Sequence, residues 1–256
     1  MIFTKIYIRI FKILVNKLSI YRKTKYVGTN YGGWFILEDT VLKNGVILSA
    51  GVGEDISFDI DMLNQYQPKI ILVDPTPKAI EHIELIKRNL GIHKTKEYSE
   101  DGKQPVEAYD LKNIKDNDLF LIEKALYKKS NLDVKFYSPP NENHVSHSIS
   151  NWQNNYKKTG DFISVKTICV LDVLKSQNLN FIDILKLDIE GAEIEVISNI
   201  LKDNILPNQL LVEFDELHNE SLKGYLRATI IFLRLLLNGY KLVKTSRFPN
   251  FLFCKI

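Results

Sequence analysis

Apolar, strand-like runs alternate with helical segments along most of this 256-residue chain, and this alternation limits the fold more than any other feature. The predicted strands are 46–50, 70–74, 118–123, 183–188 and 209–214. The predicted helices are 57–66, 76–89, 171–177, 191–201 and 221–238. Such a pattern predicts an α/β fold, with a mostly parallel sheet covered by helices on both faces. Residues 132–170 interrupt it and are predicted to be an insertion of two strands around a polar loop.

The last two strand-like segments of the chain limit the possible sheet topologies. Two strand-like segments, 240–246 and 251–256, are separated by only four residues. Because so short a connection cannot cross over to a parallel neighbour, this last pair is predicted to be antiparallel. A parallel sheet closed in this way is the layout of class I methyltransferases, which predicts a Rossmann-like sheet of seven strands. A two-half dinucleotide dehydrogenase would need another crossover helix at this point.

Cysteine usage and hydropathy suggest a compartment. The two cysteines, Cys169 and Cys254, lie in apolar segments without the spacing of a metal site, which predicts buried, reduced thiols and a cytoplasmic protein. Nowhere do about 18 apolar residues follow one another without a charge, so no transmembrane helix is predicted.

Residues 1–25 differ in charge from the rest of the chain. They carry seven basic residues and no acid, whereas the whole chain has a net charge of only +3. Their apolar positions have helical spacing, which predicts a basic amphipathic helix preceding a domain at 26–256. Such a helix either lies on the inner, anionic face of a membrane or packs on its own domain with a solvated basic face. Because residues 26–256 are net acidic and lack a basic stripe, a nucleic-acid partner is not expected.

A glycine-containing loop follows the first predicted strand. Two glycines allow a tight turn and close approach of a ligand. A dinucleotide fingerprint would place a third glycine where Ile56 stands, and the acids after Gly53 would repel a pyrophosphate. S-adenosylmethionine has no phosphate and carries a sulfonium and an amino group, so the loop suits that cofactor. The cofactor-binding residues predicted here are Gly51, Gly53, Glu54, Asp55 and Ser57.

Two further strand ends are predicted to contact the cofactor. Asp74 closes the second strand, where an acid accepts hydrogen bonds from ribose hydroxyls; the competing interpretation is a helix N-cap. Pro75 shapes the following turn. Glu123 and Ala125, after the third strand, are predicted to line the adenine pocket.

The run 184–193, ILKLDIEGAE, ends an apolar strand in a group of acids. Strand alternation places Lys186, Asp188 and Glu190 on one side, and Glu213 and Asp215 repeat this spacing in the next strand. Three explanations stay open. One carboxylate acts as a general base, the group binds a divalent cation, or the acids cap helices and pair with lysine.

Histidines and the polar insertion loop supply further candidates. His147 lies in that loop and His218 follows the fifth strand, and each is either a base or a solvated side chain. Trp152 either stacks on a sugar face or packs in the interior. The predicted acceptor-binding residues are Ser146, His147, Ser148, Trp152, Glu213 and His218.

Together these residues resemble the FkbM-like family of S-adenosylmethionine-dependent methyltransferases, from about residue 26 to the C-terminus. The motifs are YVGTNYGGW (26–34), GVGEDISFD (51–59), VDPTP (73–77), HSI (147–149) and LKLDIEGAE (185–193). The resemblance implies a Rossmann-like fold and methyl transfer, usually to oxygen, on sugars, glycolipids or secondary metabolites. It further implies that Gly51, Gly53, Glu54 and Asp74 bind the cofactor and that Asp188 and Glu190 are the signature acids. Residues 1–25 are not part of the pattern.

The resulting hypothesis is in-line methyl transfer from S-adenosylmethionine to the hydroxyl of a small-molecule or glycan acceptor. Asp188, which is also predicted to contact the cofactor, is the first candidate for the base and His147 the second, with Glu190 as a further catalytic acid. No metal is expected, although a divalent cation stays an alternative. The rival hypotheses are a nicotinamide-dependent oxidoreductase and an inactive binding module docked at a membrane through residues 1–25. The oligomeric state is not predicted.

Overall fold

The computed structural model describes residues 2–38, 42–138, 147–150 and 160–255. The α-helices are α1 Ile2–Leu18, α2 Ser57–Tyr66, α3 Pro77–Arg88, α4 Val170–Ser176, α5 Glu193–Lys202 and α6 Leu222–Leu237. The strands are β1 Ser19–Ile20, β2 Thr24–Val27, β3 Trp34–Leu37, β4 Val46–Ala50, β5 Lys69–Val73, β6 Leu119–Ile122, β7 Ala125–Leu126, β8 Asp133–Tyr137, β9 Phe162–Ile168, β10 Ile184–Leu187, β11 Gln209–Glu213, β12 Tyr240–Val243 and β13 Asn250–Lys255. The five strands and five helices predicted from the alternating pattern are confirmed to within two residues at each end.

The main sheet has the order β1-β12-β13-β11-β10-β4-β5-β6. β13 runs antiparallel to both of its neighbours, and the other pairs are parallel, which confirms the predicted C-terminal hairpin. The sheet has eight strands, so the prediction of seven was wrong. The additional strand is β1, which pairs with β12. Two residues carry no hydrophobic periodicity, so the sequence pattern gave no sign of it.

Strand order reverses between β4 and β10. From β4 the chain proceeds to β5 and β6 on one side, whereas β10 and β11 lie on the other. Ala50 at the end of β4 pairs with Leu187 at the end of β10. Ligands of open α/β sheets bind at the carboxyl ends of strands beside such a reversal.

The core forms two layers because neighbouring residues of each strand point to opposite faces. Ile47 and Ile70 pack with residues of α2 and α3 on one face, whereas Leu48 and Ile71 pack with residues of α4, α5 and α6 on the other. This arrangement confirms the predicted helices on both faces. Cys169 and Cys254 are buried free thiols.

The N-terminal helix α1 packs against α6. Phe11 is buried and meets the rings of Tyr225 and Phe232 edge-to-face, and the hydroxyl of Tyr7 donates to Thr229 Oγ1 over 2.9 Å. One face of α1 therefore belongs to the core, while its outer side stays open to other contacts. The domain boundary at residue 25 stays a prediction. Among the described residues, no helix combines the length and the apolar character needed to cross a bilayer.

The two strands predicted in the insertion are present as β8 and β9. They pair antiparallel, and β9 also pairs parallel with β7. This small sheet is separate from the main sheet. Tyr137 of β8 pairs with Ser148, and this pairing holds the segment 147–150 beside the carboxyl ends of the main-sheet strands.

Candidate active site

A cavity of about 370 Å³ lies at the carboxyl ends of β4, β5, β10 and β11. Its size is within the usual range for a small-molecule or cofactor site. The predicted site residues that line it are Gly51, Gly53, Glu54, Asp55, Asp74, Pro75, Ala125, His147, Asp188, Glu190 and Glu213. The fold therefore brings together residues that are up to 162 positions apart in the chain.

The loop after β4 depends on its first glycine. Gly51 has a φ of +71°, and a Cβ there would lie 1.6 Å from the carbonyl oxygen of Asp188. No other residue fits without moving one of the two backbone segments. The close approach joins the glycine loop to the acidic turn after β10, and Lys186 reinforces it by donating from Nζ to the carbonyl of Gly51 over 3.0 Å.

Asp74 braces the same loop from the end of β5. One carboxylate oxygen accepts from the backbone N–H groups of Val52 (3.0 Å) and Gly53 (3.1 Å). The other accepts from the backbone N–H (2.9 Å) and hydroxyl (2.6 Å) of Thr76. The N-cap of α3 is Thr76, so the N-cap interpretation of Asp74 was wrong. Its contact with a ribose stays a prediction.

Two of the predicted cofactor residues lie away from the cavity lining. Ser57 is fully buried behind the loop, where its hydroxyl accepts from the backbone N–H of Thr29 over 2.9 Å. Glu123 is exposed, and the chain turns after β6 so that Ala125 lines the cavity instead. Asp55 does line the cavity, but its carboxylate also accepts from the hydroxyl of Thr29 (2.6 Å) and from the N–H of Ser57 (2.9 Å).

Asp188 is a buried acid of the cavity whose carboxyl has a strongly raised pKa. Its backbone N–H donates to the carbonyl of Ala50 over 3.1 Å, which fixes it beside the glycine loop. Burial and the negative charges of Glu213 and Glu190, against the opposing effects of Lys186 and His218, together raise the pKa of its carboxyl to about 8. A carboxyl with this pKa can exchange a proton near neutral pH.

Glu190 reaches the cavity by a route that strand alternation did not foresee. β10 ends at Leu187, and Glu190 (φ +58°) and Gly191 (φ +98°) form a left-handed turn beyond it. The buried carboxylate of Glu193 closes this turn by accepting from the backbone N–H groups of Ile189 (3.0 Å) and Gly191 (3.2 Å). The assignment of Glu190 to the same side of a continuous strand as Lys186 and Asp188 was therefore wrong, because β10 ends at Leu187.

A second acidic group lies beside Asp188 at the end of β11. His218 places Nε2 3.2 Å from Glu213 Oε1 and Nδ1 3.4 Å from Asp215 Oδ1. Its hydrogen bond with Glu213 raises the pKa of His218 above the ordinary value. Asp215 belongs to a turn after β11 rather than to the strand. One ligand atom from each of these three residues falls within 4.8 Å of the others, which is a geometry that can hold a metal ion.

The insertion forms one wall of the cavity. The ring of His147 stacks on Phe136 with 8° between the planes, and its Nε2 lies 3.3 Å from the hydroxyl of Ser138. Ser148 is buried and donates from its hydroxyl to the carbonyl of Glu190 over 2.6 Å. This bond ties the insertion to the acidic turn. Ser146 and Trp152 lie outside the described residues.

A family model described as the methyltransferase FkbM domain matches residues 46–242. The chain belongs to the FkbM methyltransferase family. The match runs from β4 into β12 and includes the motif 185–193, whereas the motif at 26–34 lies outside it. No curated protein and no solved structure matches the chain significantly.

In this FkbM methyltransferase the cavity is also lined by residues that were not predicted from the sequence. Tyr31 and Arg247 both line it. Burial raises the pKa of the Tyr31 hydroxyl, and the negative charge of Asp188 is the next largest cause. The guanidinium of Arg247 donates to the hydroxyl of Tyr26 and to the carbonyls of Asn30 (2.6 Å) and Gly33 (3.2 Å), so it joins the hairpin loop to the segment 26–34. The motif at 26–34 was the only available signal for Tyr31.

Proposed function

We propose that this protein transfers a methyl group from S-adenosylmethionine to a hydroxyl oxygen on a sugar, a glycolipid or polysaccharide, or a secondary metabolite. One observation carries the proposal most strongly. Six carboxylates line the cavity, and among its described lining residues Arg247 is the only lysine or arginine. The six are Glu54, Asp55, Asp74, Asp188, Glu190 and Glu213.

This donor set fits S-adenosylmethionine better than a phosphate-bearing cofactor. The molecule presents a sulfonium and an ammonium group, which carboxylates stabilise, and a single carboxylate, which one guanidinium can pair with. A pyrophosphate would instead meet repulsion from Glu54 and Asp55 in the glycine loop. Gly51 and Gly53 keep the backbone of that loop close to the cavity.

When bound, the cofactor supplies a methyl carbon already activated by a positively charged sulfur. The work of the chain is then to hold an acceptor hydroxyl in line and to take its proton. Asp188 is the base that the geometry favours, because its carboxyl lies buried at the strand end with a pKa near 8. A positive charge nearby favours its carboxylate form. His147, on the wall formed by the insertion, is the second candidate.

Transfer of a labelled methyl group tests this function. The full chain is incubated with methyl-labelled S-adenosylmethionine and with sugar, glycolipid and polysaccharide acceptors. We expect alkali-stable label, as in a methyl ether, and its loss in Asp188→Asn. Label found only as an alkali-labile ester or on nitrogen would overturn the O-methylation proposal. Cofactor binding without transfer to any hydroxyl acceptor would instead favour a binding module.

A further inference from the structure

The outer helices α1 and α6 expose an unusual amount of apolar side chain. On α6 the exposed residues follow spacings of four, four, three and four, and their exposed fractions reach 86% at the last. On α1 the exposed fractions range from 42% at Leu18 to 83% at Phe3. The residues are Phe3, Ile6, Ile10, Ile13, Leu14 and Leu18 on α1 and Leu222, Leu226, Ile230, Leu233 and Leu237 on α6.

These two stripes border the line along which the helices touch. Tyr7 of α1 bonds to Thr229 of α6. Residues three, four or seven positions apart lie on one side of a helix, so Phe3, Ile10 and Leu14 flank Tyr7. By the same spacing, Leu226 and Leu233 flank Thr229. The stripes therefore form one continuous apolar surface, the α1–α6 face, and monomeric proteins rarely leave such a surface uncovered.

The charge of the two helices selects what covers this face. α1 carries Lys5, Arg9, Lys12 and Lys17 without an acid, and α6 likewise has basic residues and no acid. A second copy of the chain would bring two positively charged helix pairs together. An anionic lipid surface instead offers an apolar layer for the stripes and phosphates for the flanking lysines and arginines. Neither helix spans a bilayer, so the contact is peripheral.

We propose that the α1–α6 face docks this protein on an anionic lipid bilayer, with the apolar stripes at the boundary between headgroups and acyl chains. The side of α1 that carries Lys12, away from the apolar stripe, contacts a residue of the active-site cavity. Lys12 of α1 places Nζ 5.1 Å from the ring centroid of Phe248, and Phe248 lines the cavity. The proposal does not depend on methyl transfer, because it rests on α1 and α6 alone.

Flotation of the full-length protein with vesicles tests the docking. One set of vesicles contains phosphatidylcholine alone, and the other an equimolar mixture of phosphatidylglycerol and phosphatidylcholine. We expect flotation with the anionic vesicles and at least a tenfold lower bound fraction without the anionic lipid. Equal flotation with both, or none with either, would overturn the proposal.

Two double variants distinguish binding through the α1–α6 face from non-specific hydrophobic adsorption to the vesicles. Ile10→Glu with Ile230→Glu is expected to lower the partition coefficient at least tenfold. The matched control, Ile92→Glu with Phe181→Glu, changes residues that are similarly exposed elsewhere (54% and 45%, against 47% and 58%) and should bind as the wild type does. Equal losses in both would contradict the assignment. Because all four residues are exposed, unchanged thermal unfolding is expected and serves as the folding control.

A charge variant gives an independent test. Lys5→Gln with Arg9→Gln should weaken anionic-vesicle binding about fivefold per charge. Lys43→Gln with Lys112→Gln, exposed lysines next to Leu42 and Leu111 of the core layer on the other face of the sheet, should not. Sedimentation at several concentrations addresses the competing occupant. A dimer that Ile230→Glu dissociates, in a protein that does not float, would assign the face to a second copy and overturn membrane docking.

Discussion

Two groups of carboxylates meet at one edge of the sheet, and the protein surrounds them differently. On the β4–β5 side, Asp74 accepts hydrogen bonds from two backbone N–H groups of the glycine loop and two groups of Thr76. On the β10–β11 side, Asp188 lies buried beside Glu190 and Glu213, and its pKa rises to about 8. The comparison teaches that hydrogen bonds from N–H donors make one acid at a strand end a structural brace, whereas burial beside other acids raises the pKa of another.

The largest effect is expected from a substitution of Asp188 on the β10–β11 side, and it should appear in the turnover rate. Asp188→Asn keeps the shape of the side chain but cannot take a proton, so kcat should fall about 10²- to 10⁴-fold while S-adenosylmethionine still binds. Steady-state kinetics and calorimetry on the same preparation measure both. The control is Asp116→Asn, an exposed acid of another region. Unchanged turnover in Asp188→Asn would remove Asp188 from the role of base.

A substitution of Asp74 on the β4–β5 side should instead lower the stability of the folded protein. Asp74→Asn turns one of the two acceptor oxygens into an NH2 donor, so either the glycine-loop N–H groups or Thr76 loses its acceptor, and the free energy of unfolding should fall by about 1–3 kcal/mol. Denaturant unfolding measures it. If stability stayed the same while S-adenosylmethionine affinity fell, Asp74 would be a ligand group rather than a brace, and the contrast between the two sides would disappear.

Asp188→Asn should also change how the stability of the protein depends on pH. Asp188 has an ordinary pKa in the unfolded chain and a raised one in the folded protein, so between about pH 4 and 8 the folded state binds more protons and stability falls as pH rises. Asp188→Asn should therefore gain thermal stability relative to the wild type at pH 8 and show little difference at pH 4. Melting temperatures across that range check this, and a stability loss at pH 8 would contradict it.

The smallest effect is expected from a chelator. Although Glu213, Asp215 and His218 have a geometry that can hold an ion, the mechanism needs none, so turnover in the presence of EDTA should be unchanged. If EDTA removed activity and Mg²⁺ restored it, the acids of the β10–β11 side would be assigned to metal binding. Mg²⁺ should then fail to restore activity in His218→Ala.

The parts of the fold that repeat were predictable from the sequence. Strands β4, β5, β6, β10 and β11 have apolar runs long enough to recognise, and the short connection before β13 fixed its direction. β1 could not be found because two residues carry no period. Glu190 was misplaced because a left-handed turn interrupts the alternation that sequence reasoning extends. Arg247 was missed because its contacts with Asn30 and Gly33 join segments more than 200 residues apart.

Calorimetric titration of the full chain with S-adenosylmethionine, and separately with NADH, tests the central claim most directly. The acid-lined cavity should bind S-adenosylmethionine with a micromolar Kd and give no binding heat with NADH. A folded sample that fails to bind S-adenosylmethionine, or that binds NADH equally well, would contradict the account.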